Sequence, residues 1–306
     1  MKSRTFRSFA KINLGLEVVG KLPNGYHELK TIFATVALHD LIEIGEARNG
    51  VTVRSDHPGV PNDASNLASR AALLMQELAG TDRGVSIRIE KRIPVGGGLG
   101  GGSSNAATVL RALDLIWKLG LGPSGLTDAA KKLGADVPYF LQGGPALGRG
   151  RGDDIHPLDL RLAEKVLLVP HQAGVSTAAV FRRFAMQPPL ARARSPIDAL
   201  LHGGADGARF PERPCVGLVN DLEAAALFES PALASVGEHV ARVARQTGAS
   251  HAAMSGSGST FFLLHADTSS RRAAVRALKE EGIESVISSF LSARAYRNRF
   301  EVSAPR

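Results

Sequence analysis

The sequence predicts a two-domain α+β protein, and three observations carry that reading. Apolar and polar residues alternate over residues 4–19 and 85–90, the period of a half-buried strand. Apolar stripes at helical spacing run through 63–79 and 104–117. The second half then restarts in the order strand–helix–strand–strand–helix–strand, which is that of a ferredoxin-type sandwich. A chain of 306 residues accommodates two ordinary domains. Two Gly-rich segments and Pro157 place the expected boundary between 1–158 and 159–306.

Each element has its own signal. Over 4–19, Ile12, Leu14, Leu16 and Val18 alternate with Lys11, Asn13, Gly15 and Glu17. Pro23, Asn24 and Gly25 form a turn, with Tyr26 and His27 just beyond it. Residues 31–46 give a further strand or two, and 51–54 another. Asp63-Ala64-Ser65-Asn66 opens a helix striped by Leu67, Ala71, Leu74 and Leu78. After the strand at 85–90 and a glycine run, Ser103 or Ser104 is the expected cap of a helix striped by Ala106, Val109, Leu110, Leu113 and Trp117. A helix over 125–133 stops at Gly134. In the second half, 165–169 reads as strand, while 176–185, 196–201, 218–228 and 231–247 read as helix. Strands at 252–254 and 260–264 flank a second glycine loop, Ser255-Gly256-Ser257-Gly258-Ser259. A helix over 269–282 and a final strand or two over 285–298 complete the chain. Residues 186–194 and 203–214 are irregular connections.

Composition narrows the class. There are 37 basic and 29 acidic residues, so the formal charge is 37 − 29 = +8. That total raises a nucleic-acid reading. However, the cations are scattered and aromatics make up only 5% of residues, which disfavours a stacking RNA platform. A protein that binds several phosphates of a small molecule carries the same charge. One cysteine, Cys215, excludes an internal disulfide and a thiolate metal cluster, and reads as a small buried hydrophobe. No apolar run reaches 18 residues, and the N-terminal stretch lacks the apolar core of a signal peptide. A reducing cytoplasm is the expected home, with no membrane partner.

The chain is organised around Pro94-Val95-Gly96-Gly97-Gly98-Leu99-Gly100-Gly101-Gly102-Ser103-Ser104. It joins a strand to a helix and has no acidic residue nearby, which marks an anion site built from backbone N–H groups. A P-loop needs a Lys after the glycines, and the next basic residue is Arg111. A dinucleotide fingerprint needs a second parallel strand ending in an acid about 20 residues on, and the chain runs helix to helix instead. A protein-kinase loop lacks its partner motifs here.

Pro94, Gly98, Leu99, Gly100, Ser103 and Ser104, followed by an Ala-rich helix, resemble the nucleotide loop of the GHMP kinase superfamily of small-molecule kinases. Further motifs stand in register: Ala10-Lys11-Ile12-Asn13-Leu14, Asn24-Gly25-Tyr26-His27, Asp63 with Asn66-Leu67, Gly134-Ala135-Asp136-Val137-Pro138 and Met254-Ser255-Gly256-Ser257-Gly258. Together they are similar to the branch that phosphorylates 4-diphosphocytidyl-2-C-methyl-D-erythritol, from Ala10 to about Phe262. Ser259 departs from that branch, which has Pro or Ala there, and 186–214 carries no matching motif.

The resemblance implies a ribosomal-protein-S5-domain-2-like ATP-binding domain and a ferredoxin-like C-terminal domain. It implies ATP as donor. The histidines show no H-E-x-x-H or similar spacing, so no protein-built metal site is expected and Mg²⁺ is expected to enter with the nucleotide. Asp136 becomes the general base toward the substrate's 2-hydroxyl, with Lys11 paired to it. Residue by residue, without the resemblance, Asp136 reads equally as a helix cap and Lys11 as a solvent-facing strand residue. By the same resemblance, Asn13 meets the substrate's polar groups. Tyr26 stacks on cytosine, His27 hydrogen-bonds its edge, Phe181 offers the opposite face and Phe33 lines the pocket. Asn66 and the backbone from Pro94 to Ser104 (through Val95, Gly96, Gly97, Gly101 and Gly102) hold ATP. The second glycine loop reads equally as closing on substrate phosphates or as a tight strand-to-strand turn. The expected partner is this small molecule alone, for a monomer or weak homodimer. The rivals are a sister kinase for another small alcohol such as homoserine and, more remotely, a non-enzymatic RNA-binding protein.

Overall fold

The computed structural model describes residues 3–23, 25–172, 174–187, 194–203, 215 and 217–302. Strands β1 (Arg4–Lys21) and β2 (His27–Ala47) form a long antiparallel hairpin. Its turn is closed by Gly25 N–H donating to the Leu22 carbonyl at 2.9 Å. β3 (Val51–Ser55), α1 (Leu67–Ala79) and β4 (Gly84–Glu90) make a parallel crossover unit. Asn66 caps α1 by accepting from Ala68 N–H at 2.9 Å. Helix α2 (Gly101–Trp117) starts earlier than the serine-cap reading expects. Its cap is Gly100 at φ 69°, with no side-chain bond, because glycine alone turns the chain there at no steric cost. Ser104 is instead buried in the first turn, donating to the Phe9 carbonyl at 2.7 Å and receiving Ser8 Oγ at 2.7 Å. α3 (Gly122–Leu133) leads through Asp136 into a 3₁₀ turn at Pro138–Leu141. β5 (Ala146–Arg149) and β6 (Asp154–Pro157) form a second hairpin within the segment read as a glycine-rich boundary.

The second half runs β7 (Lys165–Val169), α4 (Thr177–Ala185), α5 (Pro196–Gly203), α6 (Glu223–Glu229), α7 (Pro231–Gln246), β8 (His251–Met254), β9 (Phe261–His265), α8 (Thr268–Glu280), β10 (Val286–Leu291) and α9 (Ala293–Asn298). Two sequence expectations are corrected here. The helix read at 218–228 begins only at Glu223. Val219 and Asn220 run alongside β1 before a turn at 221–222; Leu16 N–H donates to the Val219 carbonyl at 2.8 Å and Asp221 N–H to the Leu16 carbonyl at 2.9 Å. The strand or two read at 285–298 is one strand followed by α9, because Ser292 Oγ caps Ala295 N–H at 3.2 Å and turns the chain into a helix. The irregular connections at 186–194 and 203–214 fall mostly outside the described residues.

β2 is the spine that joins the halves. Residues 31–46 are one strand because β2 pairs with β1 along its length on one edge. The other edge meets β5 at 31–33, β10 at 35–36 and β4 at 41–47. β10 in turn pairs with β7, giving the antiparallel order β10-β7-β9-β8 of a ferredoxin-like sheet. One core continues across the junction, with Ala10, Ile12 and Leu14 of β1 clustered with Val166, Leu168, Phe262 and Leu264. The outer edge of β1 is covered by irregular chain. Arg7, Lys11 and Leu16 donate to the carbonyls of Phe300, Leu99 and Val219 at 2.7, 3.0 and 2.8 Å. A strand edge left open is an aggregation template. Here the covering segments also bury both faces of β1 over 8–17, rather than the single face that the alternation predicts.

Candidate active site

The glycine loop turns its carbonyls inward. Gly97 O accepts from Thr260 N–H at 3.2 Å, Gly98 O from Ser255 Oγ at 3.0 Å and Leu99 O from Lys11 N–H at 3.0 Å. Among the described residues, the N–H groups of Gly96 to Ser103 donate to no protein acceptor. The first N–H groups of α2 lack intrahelical partners by geometry, and the helix dipole adds positive potential there. The loop therefore faces a cavity of about 350 Å³ as an array of free donors. Val60, Leu67, Pro94 and Val95 give that cavity an apolar side suited to a flat base. Gly98 is the tightest point: at φ 72°, an added Cβ would meet the Ser255 carbonyl at 2.2 Å. Asn66 also lines this cavity, with its amide engaged by Ala68 N–H and by the Pro61 carbonyl (2.7 Å). Ser104 does not reach it and acts as a buried peg between α2 and β1.

Beneath the loop lies a second cavity of about 390 Å³, which shares Gly96, Gly98, Gly100 and Ser103 with the first. Lys11 Nζ stands on its floor, 3.5 Å from Asp136 Oδ2. The Lys11 side chain is 4% exposed and that of Asp136 is 35% exposed, so the ammonium is fixed while the carboxylate looks into the opening. Lys11 also donates to Asn13 Oδ1 at 2.6 Å and lies 5.6 Å over the Phe33 ring. Asn13 Nδ2 donates to Thr31 Oγ1 at 2.8 Å, which itself donates to the Gly15 carbonyl at 2.7 Å. Asn13 thus lines the cavity with both amide atoms held. The docking of Leu99 on β1 is what carries Lys11 from a solvent face to the interior. Gly256, at φ 60°, brings the second glycine loop against Lys11 and Asn13: an added Cβ would lie 3.2 Å from Asn13 Oδ1 and 3.4 Å from Lys11 Nζ.

A third cavity, of about 760 Å³, shares Ala135, Arg151, Thr177 and Phe181 with the second. His27 stacks on Phe181 with centroids 5.0 Å apart and planes at 24°. Tyr26 lines the same cavity, 59% exposed, with the Arg151 guanidinium 5.5 Å over its ring. Burial, and secondarily Lys21, holds the His27 pKa below the usual imidazole value. Phe33 lines the floor of the central cavity but is itself buried against Tyr139, at 4.7 Å between centroids.

Sequence reasoning missed two supports. Asp40 is fully buried and accepts from Arg92 N–H (2.7 Å), Ile93 N–H (2.8 Å), Asn105 Nδ2 (2.9 Å) and Lys91 Nζ (2.8 Å). It fixes the entrance of the glycine loop and the first turn of α2 to β2. Lys91 lines the loop cavity, and burial lowers its pKa against the pull of Asp40. The sequence carries no signal that singles out Asp40, because β2 also holds Glu43 and Glu46; only the packing shows which acid is buried. The second support is a ring around the turn after Asp136. Gly144 N–H donates to Thr35 Oγ1 (2.9 Å), and Tyr139 O–H donates to the Gly144 carbonyl (2.7 Å). Thr35 O–H is then left to donate to Tyr139 Oη, at 2.7 Å. Tyr296 of α9 closes the ring from outside by donating to the Phe140 carbonyl.

The chain matches the family model for the GHMP kinases N terminal domain over residues 66–144 and that for GHMP kinases C terminal over 220–284. It is 39% identical to a 4-diphosphocytidyl-2-C-methyl-D-erythritol kinase of Pelotomaculum thermopropionicum, covering 86% of this chain and 89% of that relative. It is 37% identical to the kinase of the same name from Acaryochloris marina, covering 95% and 98%. A solved structure of 4-(cytidine 5'-diphospho)-2C-methyl-D-erythritol kinase superposes with TM-score 0.75 at 36% identity, covering 94% of this chain and 99% of that one. A homoserine kinase from Cytophaga hutchinsonii superposes with TM-score 0.73 at 19% identity, covering 96% and 97%, which shows a shared fold. With a donor-lined glycine loop above a Lys–Asp pair and relatives of this identity over nearly its whole length, the chain belongs to the 4-diphosphocytidyl-2-C-methyl-D-erythritol kinase family of the GHMP kinases.

Proposed function

We propose that the protein transfers the γ-phosphoryl group of ATP to the 2-hydroxyl of 4-diphosphocytidyl-2-C-methyl-D-erythritol, giving the 2-phosphate and ADP, as a step of non-mevalonate isoprenoid precursor synthesis. The observation that carries this is the Lys11–Asp136 pair, set between a donor-lined anion cavity and an aromatic cavity. ATP lies with its base against Val60, Leu67 and Val95 and its phosphates under the N-terminus of α2. The cytosine enters at His27, Phe181 and Tyr26, which leaves the erythritol end beside Asp136. Asp136 accepts the hydroxyl proton as the oxygen attacks phosphorus. Lys11 holds that carboxylate in place and sets a positive charge where negative charge gathers. The free N–H groups of the loop supply the remaining charge stabilisation without reorganisation.

Among the described residues, no group of three or more His, Cys, Asp or Glu is placed to hold a metal. Mg²⁺ would enter with the nucleotide, held by phosphate and water, with the Ser103 hydroxyl and the Asp136 carboxylate among the protein oxygens that line the site. When bound it neutralises phosphate charge. The reading includes an N-terminal domain over 1–158 and a C-terminal one over 159–306. It also includes a cytoplasmic location, no nucleic-acid partner and a monomer or weak homodimer; no described helix is long and apolar enough to cross a membrane. The test is ADP release with 4-diphosphocytidyl-2-C-methyl-D-erythritol against homoserine, mevalonate and galactose. Turnover of one of the last three without the first overturns the proposal.

A further inference from the structure

We propose that Arg151 reads the diphosphate of the substrate, forming a subsite between the aromatic end and the reacting end. The inference rests on the substrate reading given above and deepens it. Among the described residues, Arg151 is the one cation that lines both the central cavity and the aromatic cavity; Lys21 and Arg182 line only the outer one, and Lys11 only the inner. A diphosphate that joins cytidine to a polyol spanning these cavities must cross their shared wall. Arg151 sits on the tip of the β5–β6 hairpin, between Gly150 at φ 65° and Gly152 at φ 91°. That tip is pinned to β2 by Leu29 N–H donating to the Gly150 carbonyl at 2.7 Å. Across the junction stands Thr177, the first residue of α4, which lines both cavities and whose hydroxyl is 2.8 Å from Ser257 Oγ of the second glycine loop.

The guanidinium's present partner is Asp153 Oδ2, at 2.6 and 3.2 Å. That pair is partly solvated, with the Arg151 side chain 33% exposed and that of Asp153 17% exposed, so the guanidinium can turn toward a phosphate while Asp153 keeps contact with water. A planar fork of donors then meets phosphate oxygens in a geometry that an ammonium cannot copy.

The experiment is calorimetric binding of cytidine, cytidine 5'-monophosphate and cytidine 5'-diphosphate to the full chain and to Arg151→Gln and Arg151→Lys. The wild type is expected to prefer the diphosphate over cytidine by about tenfold or more, as for a charge-assisted contact. Arg151→Gln is expected to lose that preference, its affinity for the diphosphate falling by more than its affinity for cytidine, and Arg151→Lys to keep part of it. An unchanged preference in Arg151→Gln overturns the proposal. So does an equal loss of cytidine and diphosphate binding, which would mean that Arg151 only props Tyr26. A wild-type chain that releases no ADP with the full substrate defeats the substrate reading instead, which is a separate outcome.

Discussion

Replacing Gly98 by alanine tests the closeness of the two glycine loops. At φ 72° an L side chain is strained, at about 1–2 kcal/mol. The new Cβ would also lie 2.2 Å from the Ser255 carbonyl oxygen and 2.9 Å from that of Gly258. Ordinary contact begins near 3.4 Å, so the backbones must part by about 1 Å. Overpacking of that kind adds about 1–3 kcal/mol, for a total of about 2–5 kcal/mol. Gly80→Ala is the control. Gly80 caps α1 at φ 57° with nothing within 4 Å of its Cβ, so it carries the backbone strain alone, at about 1–2 kcal/mol. Urea titration reads the stability difference, and ADP release reads the site. A shift of about 1 Å at a phosphate-positioning loop is expected to lower kcat/KM by about 100-fold in Gly98→Ala, with Gly80→Ala near wild type. Equal destabilisation of the two variants, or full activity in Gly98→Ala, would refute the close-approach argument.

Other expectations concern the floor of the site, its entrance and its aromatic end. Asp136→Asn and Lys11→Ala should each lower kcat by about 10²–10⁴-fold; Asp136→Asn, at a partly exposed side chain, should leave the melting temperature near wild type, whereas Lys11→Ala orphans the buried Asn13 acceptor and should lower it. Turnover near wild type in either would be inconsistent with the assigned roles. Asp40→Asn strands the Lys91 ammonium in the interior and should cost about 3–5 kcal/mol by urea titration; a loss below about 1 kcal/mol would show that the pair is dispensable. The His27 pKa lies below the usual value of about 6.5, so the ring is neutral at pH 7. Cytidine affinity should therefore be flat above about pH 6.5 and fall as pH drops through the lowered pKa, because protonation removes the ring's acceptor. A rise in affinity on acidification would refute that sign, and His27→Asn should flatten the profile.

Much of this architecture was legible because it obeys local rules. The glycine loop needs left-handed backbone at Gly96, Gly98 and Gly100, which only glycine adopts cheaply, so its shape is written in consecutive letters. Strand and helix periods marked most elements, and the strand order of the second half indicated the ferredoxin-like sheet. Element ends were less legible where a long-range contact competes with local propensity. Residues 218–220 carry a helical pattern but run alongside β1, because β1 offers its free edge there. Ser104 carries the chemistry of a cap but is buried against β1, because the glycines before it had already begun the helix.

The sequence by itself determined which groups could do the chemistry: a donor-rich glycine loop, an isolated Lys and Asn on one strand face, an Asp between a helix end and a proline, and aromatics beyond a turn. Only the tertiary structure decided which of them meet. Lys11 and Asp136 come within 3.5 Å because the Leu99 carbonyl docks on the outer edge of β1, while the Thr35–Tyr139–Gly144 ring anchors the turn that follows Asp136. Asp40 and Lys91 pair across 51 positions for the same kind of reason. Backbone conformation is set by each residue and its neighbours, whereas the burial that turns a surface lysine into a fixed charge is set by whatever chain packs over it.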